Sequence, residues 1–203
     1  MDRLRISELK TAVLVALGAV YDQEFRLIRQ HCHEQNIVGA FYHYFRCFYE
    51  QKVAPLCVDM EYSRQGELRD GKNIDLDATE SLCPFCGKSH SRRIRSDFVV
   101  HEPGTNRHNR LVIEFKGSWS EGCLEWDRKK LSCLTLPVGV SDADVVCGYQ
   151  LGASIVLYED AIGVEWFAKG HPLRRKVHLA RESLIRTFRE EVGFCSCSRG
   201  SSS

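Results

Sequence analysis

Asp97, Glu114 and Lys116 are the residues of this 203-residue chain whose types and spacing carry the most chemistry. They sit in Arg95-Ser96-Asp97-Phe98-Val99-Val100-His101 and Arg110-Leu111-Val112-Ile113-Glu114-Phe115-Lys116, two runs that alternate as β-strands around the turn residues Pro103-Gly104-Thr105-Asn106. Alternation puts Phe98 and Val100 on one face and Asp97, Val99 and His101 on the other. On the second run Leu111, Ile113 and Phe115 oppose Val112, Glu114 and Lys116. A hairpin folded symmetrically about Thr105 and Asn106 sets Asp97 directly opposite Glu114, with Lys116 on the same face. Two carboxylates facing each other at roughly 5 Å repel unless a cation lies between them, and a Mg2+ or Mn2+ ion held by oxygen ligands fits such a gap. The bland alternative is an exposed hairpin face with an ordinary Lys/Glu pair.

A second cluster is built on sulfur. In Cys83-Pro84-Phe85-Cys86-Gly87-Lys88-Ser89-His90 the tight turn aims two thiolates at one point, the knuckle of many zinc ribbons, and His90 is a third ligand for a structural Zn2+. Spacing leaves the fourth ligand open among Cys57, His101, His108, Cys123 and Cys133. A redox pair at Cys83 and Cys86 fits less well, because the knuckle does not join a strand to a helix within a βαβ unit. Two unrelated buried cysteines are the remaining reading.

These residues need a frame. Apolar positions recur at helical spacing from residue 4 to about 30, where Gly18 is a candidate break, and again from about His33 to Gln51 along Ile37, Phe41, Tyr44, Phe45 and Phe48. Pro55 ends the second helix, and Cys57 to Tyr62 alternates as a strand. Residues 65–81 are polar and read as a loop. Residues 121–134 read as a helix, Ala153 to Tyr158 as a buried strand, Ile162 to Phe167 as an edge strand and Val177 to Val192 as a helix. One domain over residues 1–194 accounts for this pattern, with the cysteine knuckle as an insertion at about 66–93 and residues 195–203 as a flexible tail.

Twenty-eight Lys and Arg against 27 Asp and Glu give a formal charge of +1, so no global polycationic character draws the chain onto nucleic acid and any such affinity must be local. The local basic patches are Arg92-Arg93-Ile94-Arg95, Arg107-His108-Asn109-Arg110, Arg128-Lys129-Lys130 and Arg174-Arg175-Lys176. No apolar run reaches the roughly 20 residues needed to span a bilayer, and no signal-peptide pattern opens the chain. A cytoplasmic protein without membrane association is expected, with its ten cysteines mostly reduced.

An acidic residue on one strand followed by Glu-x-Lys on the next resembles the PD-(D/E)XK phosphodiesterase superfamily, the restriction-endonuclease-like nucleases. Val58-Asp59-Met60-Glu61-Tyr62-Ser63-Arg64-Gln65-Gly66, Ile94 to His101, Gly104-Thr105-Asn106 and Leu111 to Lys116 together look like its small bacterial and phage-associated members. Ser96 stands where a Pro often precedes the Asp. The resemblance implies an α/β core, a mixed β-sheet flanked by helices, and a Mg2+- or Mn2+-dependent endonuclease acting on nucleic acid, DNA ahead of RNA, with a homodimer as an option. It implies that Asp97 and Glu114 hold the metal with the Phe115 carbonyl, and that Lys116 orients the attacking water or helps to deprotonate it. An acidic residue on the first core helix completes such sites; Glu34 is the candidate, with Glu24 and Glu61 as alternatives, although Glu34 also suits a helix N-terminus for its own sake. In the family the helix after the Glu-x-Lys strand often holds a phosphate, which makes Lys129 and Lys130 secondary candidates. The competing class is a nuclease-like fold that binds nucleic acid or a protein partner without cutting, with zinc for stability.

Overall fold

The structure, a computed structural model, describes residues 5–62, 64–65, 68–71, 95–138, 147–173 and 176–193, of which 51, 61, 62, 64, 65 and 68–71 are described as backbone. Three helices open the chain: α1 (Ile6–Gln23), α2 (Phe25–Arg29) and α3 (Glu34–Val53). The expected break at Gly18 does not occur. Packing overrides the helix cost of about 1 kcal/mol that a glycine carries, because Gly18 is where a later helix, α5 (Arg181–Val192), crosses. A Cβ there would meet the Leu184 carbonyl oxygen at 2.4 Å and the Phe188 Cβ at 2.7 Å. The helix ends instead at Gln23, beside Glu24.

The strands are β1 (Cys57–Tyr62), β2 (Arg64–Gln65), β3 (Leu68–Gly71), β4 (Ser96–His101), β5 (Leu111–Gly117), β6 (Leu151–Leu157), β7 (Ala161–Ala168), β8 (His171–Pro172) and β9 (Val177–Ala180); α4 (Leu124–Leu134) lies between β5 and β6. The main sheet runs β1-β4-β5-β6-β7-β8, with β9 also on β7. It is mixed: β1, β4 and β5 form an antiparallel meander, α4 carries the chain over to a parallel β6, and β7 returns antiparallel. Part of the expected loop at 65–81 is the small β2/β3 hairpin. The strand expected at the sheet edge, β7, is interior, because the short β8 and β9 cover its far side. The expected helix from Val177 begins only at Arg181, since Val177–Ala180 alternate and pair with β7.

Two layers cover the sheet. On one face Phe98, Val100, Ile113, Phe115, Ala153, Ile155 and Val164 pack with α1, α3 and α5 into the main core. On the other, Val99, Val112 and Phe167 pack with Leu131 and Leu134 of α4. The parity of each strand decides the face, so Asp97, Glu114 and Lys116 fall on the α4 side. Behind them the frame is locked by aromatic contacts. Phe41 of α3 meets Phe98 at 4.9 Å and Phe115 at 5.0 Å between ring centroids, each in an edge geometry favoured by the ring quadrupoles.

Candidate active site

The register of the hairpin is Phe98↔Ile113, Val99↔Val112 and Val100↔Leu111, the phase in which Asp97 comes opposite Glu114. The ladder stops one step short of that pair. The Phe115 N–H, which a longer ladder would give to the β4 backbone, donates instead to Asp97 Oδ2 at 2.7 Å. A strand residue turns its N–H and C=O to the same neighbour, so the Phe115 carbonyl also faces the β4 side, where Asp97 lies.

The cation beside Glu114 is a lysine of α4. Lys130 Nζ lies 2.6 Å from Glu114 Oε2 and 3.0 Å from Asp127 Oδ1. Lys116 Nζ lies 3.5 Å from Glu34 Oε2 and 3.6 Å from Asp127 Oδ2. Glu34 is the first residue of α3, and its other oxygen accepts the Gly117 N–H at 2.8 Å, so it opens a helix and at the same time ties the end of β5 beside Lys116. Helical spacing places Asp127, Lys130, Leu131 and Leu134 on one stripe of α4, polar over the carboxylates and apolar over Val99 and Val112. Gly122, in the turn from β5 to α4, lies against the Lys116 ammonium, since a Cβ there would be 2.4 Å from Nζ.

Burial sets the protonation. The Asp97 carboxyl is pushed up to about 6, chiefly by desolvation, against the Phe115 N–H and the lysines that favour its charged form. Burial drives Glu114 well above the ordinary carboxylate range; Lys130 pulls it back, while Asp97 and Asp127 add to the rise. For Lys130 burial works the other way, but Glu114 and Asp127 outweigh it and hold the ammonium. Burial likewise opposes the charge on Lys116, and Asp127, Glu34 and Asp97 together raise its pKa. Glu114 is 3% exposed, and its Oε1 has no hydrogen-bond partner. A buried carboxylate oxygen without a donor calls for a proton or a cation.

Asp97, Glu114, Asp127 and Glu34 set four carboxylates against the ammoniums of Lys116 and Lys130, a shortfall of two positive charges. That shortfall holds when all four are ionised; protons on Asp97 and Glu114, whose pKa values burial raises, or one divalent ion make up the difference. Among the described residues no three His, Cys, Asp or Glu side chains stand close enough to share an ion. Mg2+ does not require them, because it is commonly held by one or two carboxylates with waters and substrate oxygens. Asp97, Glu114 and the Phe115 carbonyl are the groups here that could hold a Mg2+ or Mn2+ ion.

No protein-family model matches the chain, and comparison with curated proteins and with solved structures gave no match either.

Other expected residues fall elsewhere. Glu24 pairs with Arg26 at 3.5 Å at the junction of α1 and α2. The Glu61 side chain, and Cys83, Cys86 and His90 of the knuckle, lie outside the described residues. Of the suggested fourth zinc ligands, His101 is buried against Asp59 at 2.8 Å and His108 meets Glu102 at 2.5 Å. Lys129 is half-buried, whereas Lys130 enters the site. Asp127 went unnoticed in the sequence. Its signal was there: three residues before Lys130 on a helix, it is the acid that reaches both lysines. No helix among the described residues is long and apolar enough to cross a membrane.

Proposed function

We propose that this chain is a metal-dependent nuclease that hydrolyses phosphodiester bonds of nucleic acid, DNA ahead of RNA, at Asp97, Glu114 and Lys116. The observation that carries the reading is the partnerless buried oxygen of Glu114, set across a hairpin from Asp97 in a cluster short of two positive charges. The mixed sheet flanked by helices, and the helix that follows the Glu-x-Lys strand, agree with a restriction-endonuclease-like core. Asp97, Glu114 and the Phe115 carbonyl would hold Mg2+ or Mn2+. When bound, such an ion supplies charge stabilisation at the scissile phosphate and lowers the pKa of a bound water.

The chain's own groups divide the remaining work. Lys116 is kept an ammonium by Asp127, Glu34 and Asp97, so in this reading it donates to the attacking water or the phosphate and does not act as the base. Glu34 and Asp127 fix its position from two sides. Glu34 thereby supports Lys116 and the end of β5, a role that its contact with the Gly117 N–H favours over metal ligation. One observation favours the competing reading of a module that binds without cutting: Lys130 already partly neutralises Glu114. The knuckle at Cys83, Cys86 and His90 enters the proposal as a structural Zn2+ site on its spacing alone.

The test is cleavage of single- and double-stranded DNA and RNA with Mg2+ or Mn2+, beside the variants Asp97→Asn, Glu114→Gln and Lys116→Met. Each variant is expected to lose at least about 100-fold in rate, the scale of removing one preorganised charge from such a site. Cleavage that survives all three would reject this site, and absence of cleavage by the parent on every substrate would favour the binding module. Elemental analysis of the same preparation, purified without added metal, should find about one zinc per chain. Less than a tenth of that would reject the knuckle.

A further inference from the structure

We propose that Lys130 is the resident counter-ion of the site, seated on a metal-ligand oxygen and competing with the divalent ion, so that metal loads only as the Lys130 ammonium withdraws from Glu114. The inference rests on the reading of Asp97 and Glu114 as metal ligands. Of the two lysines in the cluster, Lys130 is the one in contact with such a ligand: its Nζ is 2.6 Å from Glu114 Oε2, whereas Lys116 is held by Glu34 and Asp127. Its side chain is 12% exposed, so water screens it weakly and a divalent charge arriving beside it is strongly repelled.

The lysine has a second anchor. An ammonium carries three donors, and Lys130 directs one to Glu114 and another to Asp127, 3.0 Å away on the same helix. Releasing the first contact leaves the second. What the ammonium leaves incomplete is equally plain. It covers one oxygen of Glu114 and leaves Oε1 without a partner, and Asp97 directs Oδ2 to the Phe115 N–H rather than to either lysine. A singly charged donor thus holds the carboxylates in place without saturating them, which is the property a displaceable occupant requires.

The experiment is calorimetric titration of Mn2+ into the full chain at pH 8.0, with the parent, Lys130→Gln and Lys130→Arg. Glutamine keeps a donor for Glu114 and removes the charge, and arginine keeps the charge. Lys130→Gln should bind Mn2+ at least tenfold more tightly than the parent, and Lys130→Arg within about threefold of it. If the parent binds Mn2+ and Lys130→Gln binds it no more tightly, the counter-ion proposal is overturned while the metal site stands. If the parent and both variants fail to bind Mn2+, the nuclease reading itself fails and takes the proposal with it. Should Lys130→Gln not give a folded far-ultraviolet dichroism spectrum, Lys130→Met, which matches the buried stem, replaces it with the same tenfold expectation.

Discussion

At Asp97 burial and hydrogen bonding act against each other on a single carboxyl. Desolvation raises its pKa from the usual 3.8 to about 6, although the Phe115 N–H and two lysines favour the charged form. The folded state therefore binds this proton more tightly than the unfolded chain does. Stability from it is fully present below about pH 4 and is lost as the pH rises through about 6, by about 3 kcal/mol at most. Glu114 is displaced in the same direction and adds to the loss. Asp97→Asn keeps an oxygen for the Phe115 N–H and has no proton to lose. Its melting temperature without metal should match the parent near pH 4 and exceed it by several degrees at pH 7.5. Added Mn2+ at pH 7.5 should stabilise the parent and leave Asp97→Asn almost unmoved, because ligand binding stabilises only a form that binds it. Scanning calorimetry across pH with and without Mn2+ checks both; parallel curves for the two proteins would show that Asp97 is neither strained nor a ligand.

The β5–α4 turn is the element that aims the lysine. Gly122 leaves room for the Lys116 ammonium, and an added Cβ would stand 2.4 Å from Nζ. The far end of a flexible side chain yields easily, so Gly122→Ala should change the melting temperature by no more than about 2 °C while the cleavage rate falls at least about tenfold. Equal cleavage by variant and parent would mean that Lys116 need not stand where Gly122 admits it. The strands β4 and β5 were legible from the sequence because alternation and the Pro-Gly-Thr-Asn turn between them fix face and register together. The helix over residues 33–51 was legible by its stripe, and Phe41 and Phe45 of that stripe do lie on Phe98. Gly18 misled because its small size serves a contact with α5, 166 positions on at Leu184, that no local pattern shows. The strand β9 merged with the helix after it, since four alternating residues are too few to separate a period of two from one of 3.6. Asp127 escaped for a related reason: its role depends on where α4 lands on the sheet.

Over the full chain the charge is nearly balanced, and the structure ties up several of the cations that the sequence offers to nucleic acid. Arg110 is 7% exposed and donates to Gln150 at 2.6 Å. Arg128 pairs with Glu165, its Nη2 donating to Oε1 at 2.9 Å, and its Nη1 also reaches Glu125. Lys130 is inside the site. Arg107 is exposed in the hairpin turn, and Arg92, Arg93, Arg174 and Arg175 lie outside the described residues. A protein of formal charge +1 in which Arg110, Arg128 and Lys130 are so engaged should grip only a short stretch of backbone, with about two phosphates neutralised. Affinity of Asp97→Asn for a duplex, measured by fluorescence anisotropy without cleavage, should then fall only about tenfold between 50 and 200 mM salt. A protein with six phosphate contacts would lose more than about 1,000-fold over the same range. A loss of that size would put the interface on a basic surface beyond the hairpin and α4, and the local-contact view of binding drawn from Arg110, Arg128 and Lys130 would be wrong.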